Sequence, residues 1–232
     1  KENISKMLDE LLKVSKSIKD DMNILVLDDN SPDGTAEIVR DYMKKRKNVM
    51  LASGKKEGLG KAYVRGFTHV IENMPDIEVV FMMDADLSHN PQEIPKFLRW
   101  ISAGYDFVIG SRYIKGGKIP DWSWTRRLVS FGGNCFVRYV AGLGRIHDCT
   151  SGYRAIRVSI LKKIHMENLH TRGYAFLSTL LFEAKHVGAR FKETPIIFND
   201  RRYGKTKLNK KDITEFFINS LNFGISSKEF LI

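Results

Sequence analysis

Two aspartates one residue apart, Asp84-Ala85-Asp86, follow directly on an apolar run that ends at Met83. Carboxylates at i and i+2 just past a buried strand can converge on one divalent cation, and hard oxygen ligands suit Mg2+ or Mn2+. A cation held this way commonly also holds the phosphates of a nucleotide. The same pair equally suits a turn before the helix that opens at Pro91, and spacing alone leaves both uses open. Asp28-Asp29 repeats the pattern one unit earlier. A carboxylate there can accept hydrogen bonds from a base or a ribose, while Ser31 and Asp33 suit helix capping.

The cationic candidates fall in three places. Arg112 follows the apolar run 107–110 directly. Arg126 and Arg127 open an amphipathic segment, with Ser130 four residues after Arg126. Residues i and i+4 share a helix face, so Arg126 and Ser130 can grip one phosphate near a helix N-terminus, where the dipole favours anions. Arg201, Arg202, Lys205 and Lys207 form the third group. Any one group taken alone also reads as a solvated basic face. Trp122 and Trp124 flank Ser123, and Phe216-Phe217 sit in a later amphipathic stretch. Aromatics there fit either a membrane interface or ordinary core packing. His89 stands beside the acidic pair and reads as a surface or capping residue rather than a ligand. The segment Gly58-Leu59-Gly60-Lys61 lacks the spacing of a P-loop, and no G-x-S-x-G elbow occurs.

The elements that must position these residues alternate. Residues 3–18 carry apolar side chains at helical spacing, and Ile24-Leu25-Val26-Leu27 is a short strand ending in Asp28-Asp29-Asn30-Ser31-Pro32-Asp33-Gly34, dense in turn formers. A helix around Ile38–Met43, a strand at 49–52, a helix at 59–73, a strand at 77–83, a helix at 91–103 and a strand at 107–109 follow. This alternation predicts an α/β fold, a mostly parallel sheet flanked by helices, with ligands at the carboxyl ends of the strands. Both acidic clusters lie at such ends. Beyond it come a Gly-, Pro- and Trp-containing loop at 112–124 and amphipathic helices at 125–142 and 210–223. A helix at 173–187, a strand at 190–198 and a basic loop at 201–209 complete the reading.

The chain of 232 residues carries 38 Lys and Arg against 27 Asp and Glu, a net charge of +11, so its partners are expected to be anionic: nucleic acid, a membrane surface or phosphorylated substrates. Its 43% apolar and 28% charged content is that of a folded domain rather than a disordered chain. No run of apolar residues is long enough for a transmembrane helix, and no signal peptide is visible. With only Cys135 and Cys149, a disulfide scaffold and a cysteine-rich zinc site are excluded, and the pair reads as buried thiols.

Six motifs then occur in order: Leu27-Asp28-Asp29-Asn30-Ser31-Pro32-Asp33-Gly34-Thr35, Gly58-Leu59-Gly60-Lys61-Ala62, Met83-Asp84-Ala85-Asp86-Leu87-Ser88-His89, Gly110-Ser111-Arg112-Tyr113, Thr150-Ser151-Gly152-Tyr153-Arg154 and Asp200-Arg201-Arg202-Tyr203-Gly204. Together the chain resembles the dolichol-phosphate (polyprenyl-phosphate) mannosyltransferases, family 2 glycosyltransferases of GT-A, Rossmann-like fold. The resemblance runs from Lys1 to Phe223. It implies a GT-A domain over 1–223, with 224–232 as a tail. It implies that Asp84 and Asp86, with Ser88 as a further candidate, hold the metal, Mg2+ or Mn2+. Leu27, Asp29, Asp84, Ala85, Asp86, Arg201 and Lys207 would bind the donor. Arg112, Arg126 and Ser130 would hold the acceptor phosphate, and Asp86, Arg112 and Arg201 are the catalytic candidates.

The implied reaction moves mannose with inversion from GDP-mannose to dolichyl or polyprenyl phosphate. A UDP-glucose or other hexose donor is the alternative, and a basic nucleic-acid-binding module or a catalytically inactive interaction domain are the rivals from other classes. The enzyme is expected at the cytoplasmic face of a membrane, touching it through helices 125–142 and 210–223, with a membrane subunit or fused membrane domain as a candidate partner. Relatives open with a strand bearing a P-T-Y-N-E-like motif before the position of Lys1, so the sequence reads as lacking a first strand. They often carry Gln-x-Glu after G-Y-x-F, where this chain has Leu177-Ser178-Thr179.

Overall fold

The computed structural model describes residues 2–18, 20–169 and 173–200. Arg201, Lys207, the rest of the basic loop 201–209, the helix expected at 210–223 and the tail 224–232 lie outside the described residues.

Helix α1, Ile4–Ser17, forms because Ile4, Met7, Leu8, Leu11 and Val14 recur on one side, and all five are buried. Strand β1, Ile24–Asp28, leads through a turn to helix α2, Thr35–Lys45, and strand β2, Val49–Ser53, returns parallel to β1. Helix α3, Leu59–Asn73, precedes strand β3, Val79–Met82. A short 3-10 turn at Pro91–Glu93 opens helix α4, Ile94–Ser102, and strand β4, Phe107–Ser111, is buried throughout. Helix α5, Trp124–Val140, is the longest described helix. Strand β5, Arg154–Arg157, and the single-turn helix α6, Val158–Leu161, come next. Helix α7, Gly173–His186, and strand β6, Phe191–Pro195, end the described chain.

The strands form two sheets, β1-β2 and β3-β5-β4-β6. In the larger one β4 and β6 are parallel, while β5 runs antiparallel to both β3 and β4. Three of its four strands therefore share one direction, as the α/β reading predicts, and β5 is the exception. That strand escapes a sequence reading because Arg154-Ala155-Ile156-Arg157 is short and half charged, where a buried strand is expected to be apolar.

Side chains alternate across a strand. Phe107 and Ile109 of β4 enter one apolar cluster with Phe67 of α3, Val137 of α5 and Phe176, Leu180 and Leu181 of α7. Val108 enters the other, with Met7, Leu8 and Leu11 of α1 and Phe97 and Ile101 of α4. The sheet is thus covered on both faces, and its strand ends are the exposed place left for chemistry. Both cysteines are free thiols, and burial pushes that of Cys149 up to about 12.

Candidate active site

The acidic turn follows β3. Asp84 and Asp86 are half-buried, with Ala85 exposed between them. Leu87 takes a left-handed backbone conformation, φ 67°, which costs a leucine about 1–2 kcal/mol. Strain of this kind collects at functional turns. The backbone N–H of Asp84 donates to Nδ1 of His89 at 3.0 Å, and the N–H of Ser88 donates to Asp86 Oδ1 at 3.0 Å. His89 is buried, not on the surface as the sequence suggested. Burial holds its imidazole pKa below the ordinary value, against the pull of the Asp84 and Asp86 carboxylates. A neutral ring accepting at Nδ1 carries its proton on Nε2.

The donor set of this turn fits a divalent cation. Two carboxylates stand on it, and the hydroxyl of Ser88 is buried without a hydrogen-bond partner. The carboxylate of Asp84 faces Gly152, where a Cβ would lie 3.8 Å from Oδ1, so the loop opposite leaves room before it. No cluster of three or more His, Cys, Asp or Glu that could hold a metal occurs among the described residues.

The other acidic cluster divides its work. Asp28 is buried and accepts from the Ser31 N–H at 3.2 Å, a turn-capping role. Asp29 instead pairs with Arg65 of α3, Nη2 to Oδ1 at 2.5 Å. Gly54 is what lets that guanidinium pass: a Cβ there would lie 2.2 Å from its carbon. Leu27, expected to contact the nucleoside, packs its side chain on Gly66 of α3.

Arg112 leaves the end of β4 into a buried network. Its Nε and Nη2 both donate to Asp148 at 2.7 Å, and Nη2 also donates to Thr150 Oγ1 at 2.9 Å. Asp148 and Thr150 are held in turn from two sides. Glu193 of β6 accepts the N–H groups of His147 and Asp148. Asn134 of α5 accepts those of Cys149 and Thr150 and donates to Thr150 Oγ1 at 3.1 Å. Behind the loop, the fully buried guanidinium of Arg154 donates to the carbonyls of Cys149, Ser151 and Leu177, and burial brings its pKa down to about 10.

Helix α5 begins with Ser123 as N-cap, its Oγ accepting from the Arg126 N–H at 3.4 Å. Arg126 lies over the ring of Trp122, 3.8 Å from guanidinium carbon to centroid, and pairs with Asp200 at 3.1 Å. Arg112 lies 5.4 Å from the same ring. Ser130 follows one turn on, beside the Tyr113 phenol. Arg112, Arg126 and Ser130 therefore lie near one another, around the rings of Trp122 and Tyr113. Phe198 joins them to the acidic turn: its ring is 5.4 Å from Arg112 and 5.5 Å from the His89 ring. Asp148, Asn134 and Phe198 carry no spacing signal that marks them, because each acts through contacts distant in sequence.

Residues 1–165 match the family described as Glycosyl transferase family 2. The chain is 37% identical over 210 residues to polyprenol monophosphomannose synthase of Mycolicibacterium smegmatis, covering 89% of this chain and 78% of that protein. It is 35% identical over 207 residues to undecaprenyl-phosphate mannosyltransferase of Micrococcus luteus, covering 89% and 84%. Among solved structures, glucosyl-3-phosphoglycerate synthase of Mycobacterium tuberculosis, crystallised with Mn2+, UDP and phosphoglyceric acid, superposes with a TM-score of 0.67 over 96% of this chain and 74% of its own. At 16% identity that likeness speaks to the fold alone. An acidic turn and a cation cluster at the strand ends of a doubly covered α/β sheet, with matches of this extent, place the chain in glycosyl transferase family 2.

Proposed function

We propose that this glycosyltransferase moves mannose from GDP-mannose to a polyprenyl phosphate at a membrane surface, inverting the anomeric carbon. The observation that carries the reading is the juxtaposition of the Asp84-Asp86 turn with the Arg112-Arg126 cluster through Phe198 and Trp122. One half suits a nucleoside diphosphate with its cation, the other a phosphate monoester. The names of the relatives supply the sugar and the lipid. Helix α5 supports the membrane part. Its outer side exposes Trp124, Leu128, Phe131 and Tyr139, the last to 90%, while Asn134 and Val137 are buried on the opposite side. Among the described residues no helix is long and apolar enough to cross a membrane, and an apolar stripe of this kind suits lying on one.

An acceptor phosphate oxygen attacks C1 of the sugar from the side opposite GDP. The C1–O bond to the GDP β-phosphate breaks, its electron pair leaves on GDP, and the new C1–O bond joins sugar to lipid phosphate. The acceptor is already anionic near pH 7, so no general base is required. Arg112 and Arg126 hold the acceptor for in-line approach. Asp84 and Asp86, with Ser88 beside them, would hold Mg2+ or Mn2+, which when bound neutralises diphosphate charge. Asp29 and its partner Arg65 would meet the nucleoside. The paired carboxylates weigh against a nucleic-acid-binding module, since they would repel a phosphate backbone.

The test is incubation with a polyprenyl phosphate and either GDP-mannose or UDP-glucose, with Mg2+, Mn2+ or EDTA, read by mass spectrometry. Cation-dependent mannosyl-phosphoryl-polyprenol from GDP-mannose alone is the expected result. Product from UDP-glucose alone would overturn the donor, and no product from either would overturn the reaction.

A further inference from the structure

We propose that Trp122 is a positioning residue for the acceptor phosphate, its ring acting as the common support for the guanidiniums of Arg112 and Arg126. The proposal rests on the reading of those two arginines as the acceptor-phosphate site.

Trp122 is the residue before the N-cap of α5, so its place is fixed by the start of the helix that carries Arg126. Arg126 stacks on it at 3.8 Å and Arg112 approaches it at 5.4 Å, while Phe198 meets it edge-on at 5.7 Å. Two like charges converge here on one ring, an arrangement that the negative face of an indole favours and an aliphatic side chain would not. The ring's own polar atom argues that stacking sets its position. Its Nε1–H is buried without a hydrogen-bond partner, although a buried indole N–H usually finds one. A tryptophan placed for its hydrogen bond would have satisfied it.

The helix start carries a second conflict. The first turn of α5 has no acidic residue and holds Arg126 and Arg127, cations set against the positive end of the helix dipole. Arg127 is used structurally, its Nη2 donating to the carbonyls of Ile119 and Pro120. Arg126 instead extends over Trp122, where Asp200 at the far end of the described chain meets its charge. Each guanidinium already has a carboxylate on one side, Asp148 for Arg112 and Asp200 for Arg126, and a phosphate between them would add an anion where both cations and the helix dipole favour one. Trp122 keeps the two guanidiniums at a fixed spacing before that phosphate arrives, so less order has to be imposed on binding.

The experiment measures KM for polyprenyl phosphate and for the sugar nucleotide, with thermal midpoints, for the wild type, Trp122→Phe, Trp122→Leu and Arg126→Gln. Trp122→Leu is expected to raise the acceptor KM by roughly tenfold with the donor KM unchanged, since Arg126 loses the ring it stacks on and Arg112 loses one of its three ring contacts among the described residues. Trp122→Phe keeps a ring and is expected to stay within about threefold of wild type, with no loss of thermal stability. An unchanged acceptor KM in Trp122→Leu, with Arg126→Gln raised, would overturn the proposal. So would Trp122→Phe failing as badly as Trp122→Leu, which would give the role to the N–H. If Arg126→Gln itself left the acceptor KM unchanged, the acceptor-site reading would fall, and this proposal with it.

Discussion

Arg112 enters the site with one edge of its guanidinium already committed to Asp148, and both side chains are almost fully buried. Breaking such a pair from one side strands a charge, at a cost of about 3–5 kcal/mol, whereas replacing both partners with apolar groups is often near neutral. Asp148→Leu should therefore lower the thermal midpoint by roughly 10 °C. Adding Arg112→Met to it should restore most of that stability while leaving transfer abolished, and calorimetry beside an activity assay would show the split. The acidic turn predicts a different pattern. Asp86→Asn should leave the fold intact, because an amide oxygen can also accept from the Ser88 N–H. It should lower transfer by roughly a hundredfold or more and weaken Mn2+ binding, measured by titration calorimetry. The aspartate pair and Arg112 were legible from the sequence because each follows an apolar strand, and Arg126 because it opens an amphipathic segment. Asp148 was not, since it lies 36 residues from Arg112 in a loop with no pattern of its own.

Helix α5 presents two chemically different sides. Arg126, Ser130 and Asn134 turn toward the site, while Trp124, Leu128 and Phe131 turn out at spacings of four and three. Leu and Phe side chains moved out of water contribute about 1.5–3 kcal/mol each. The double variant Leu128→Asp, Phe131→Asp should weaken binding to phosphatidylcholine–phosphatidylglycerol vesicles by at least about tenfold. Transfer to a short-chain acceptor in detergent should persist, which separates docking from chemistry. At α3, the guanidinium of Arg65 passes over Gly54 to reach Asp29. Gly54→Ala should push that flexible group aside and raise the donor KM by roughly fivefold, leaving the acceptor KM alone. The helices were readable because their apolar residues repeat at helical spacing. Strand β5 was not, because its first residue is a buried arginine satisfied by three backbone carbonyls, a solution that only the folded chain displays.

At the scale of the whole molecule, the net charge of +11 and the acidic turn are complementary features. On the proposed reading, a cationic surface would draw anionic lipid and nucleotide toward a sheet end, and the carboxylates there would favour the partner that brings a divalent cation with it. The sheet, covered on both faces, holds the acidic turn after β3 and Arg112 after β4, with β5 running between the two strands. That placement suits the proposed attack from the acceptor side and departure on the donor side. The most direct test is the anomeric configuration of the product formed from GDP-α-mannose and polyprenyl phosphate, read by NMR. The account predicts a single β-mannosyl phosphate. An α-linked product would contradict direct displacement between two opposed sites, and release of free mannose alone would contradict a phosphate acceptor.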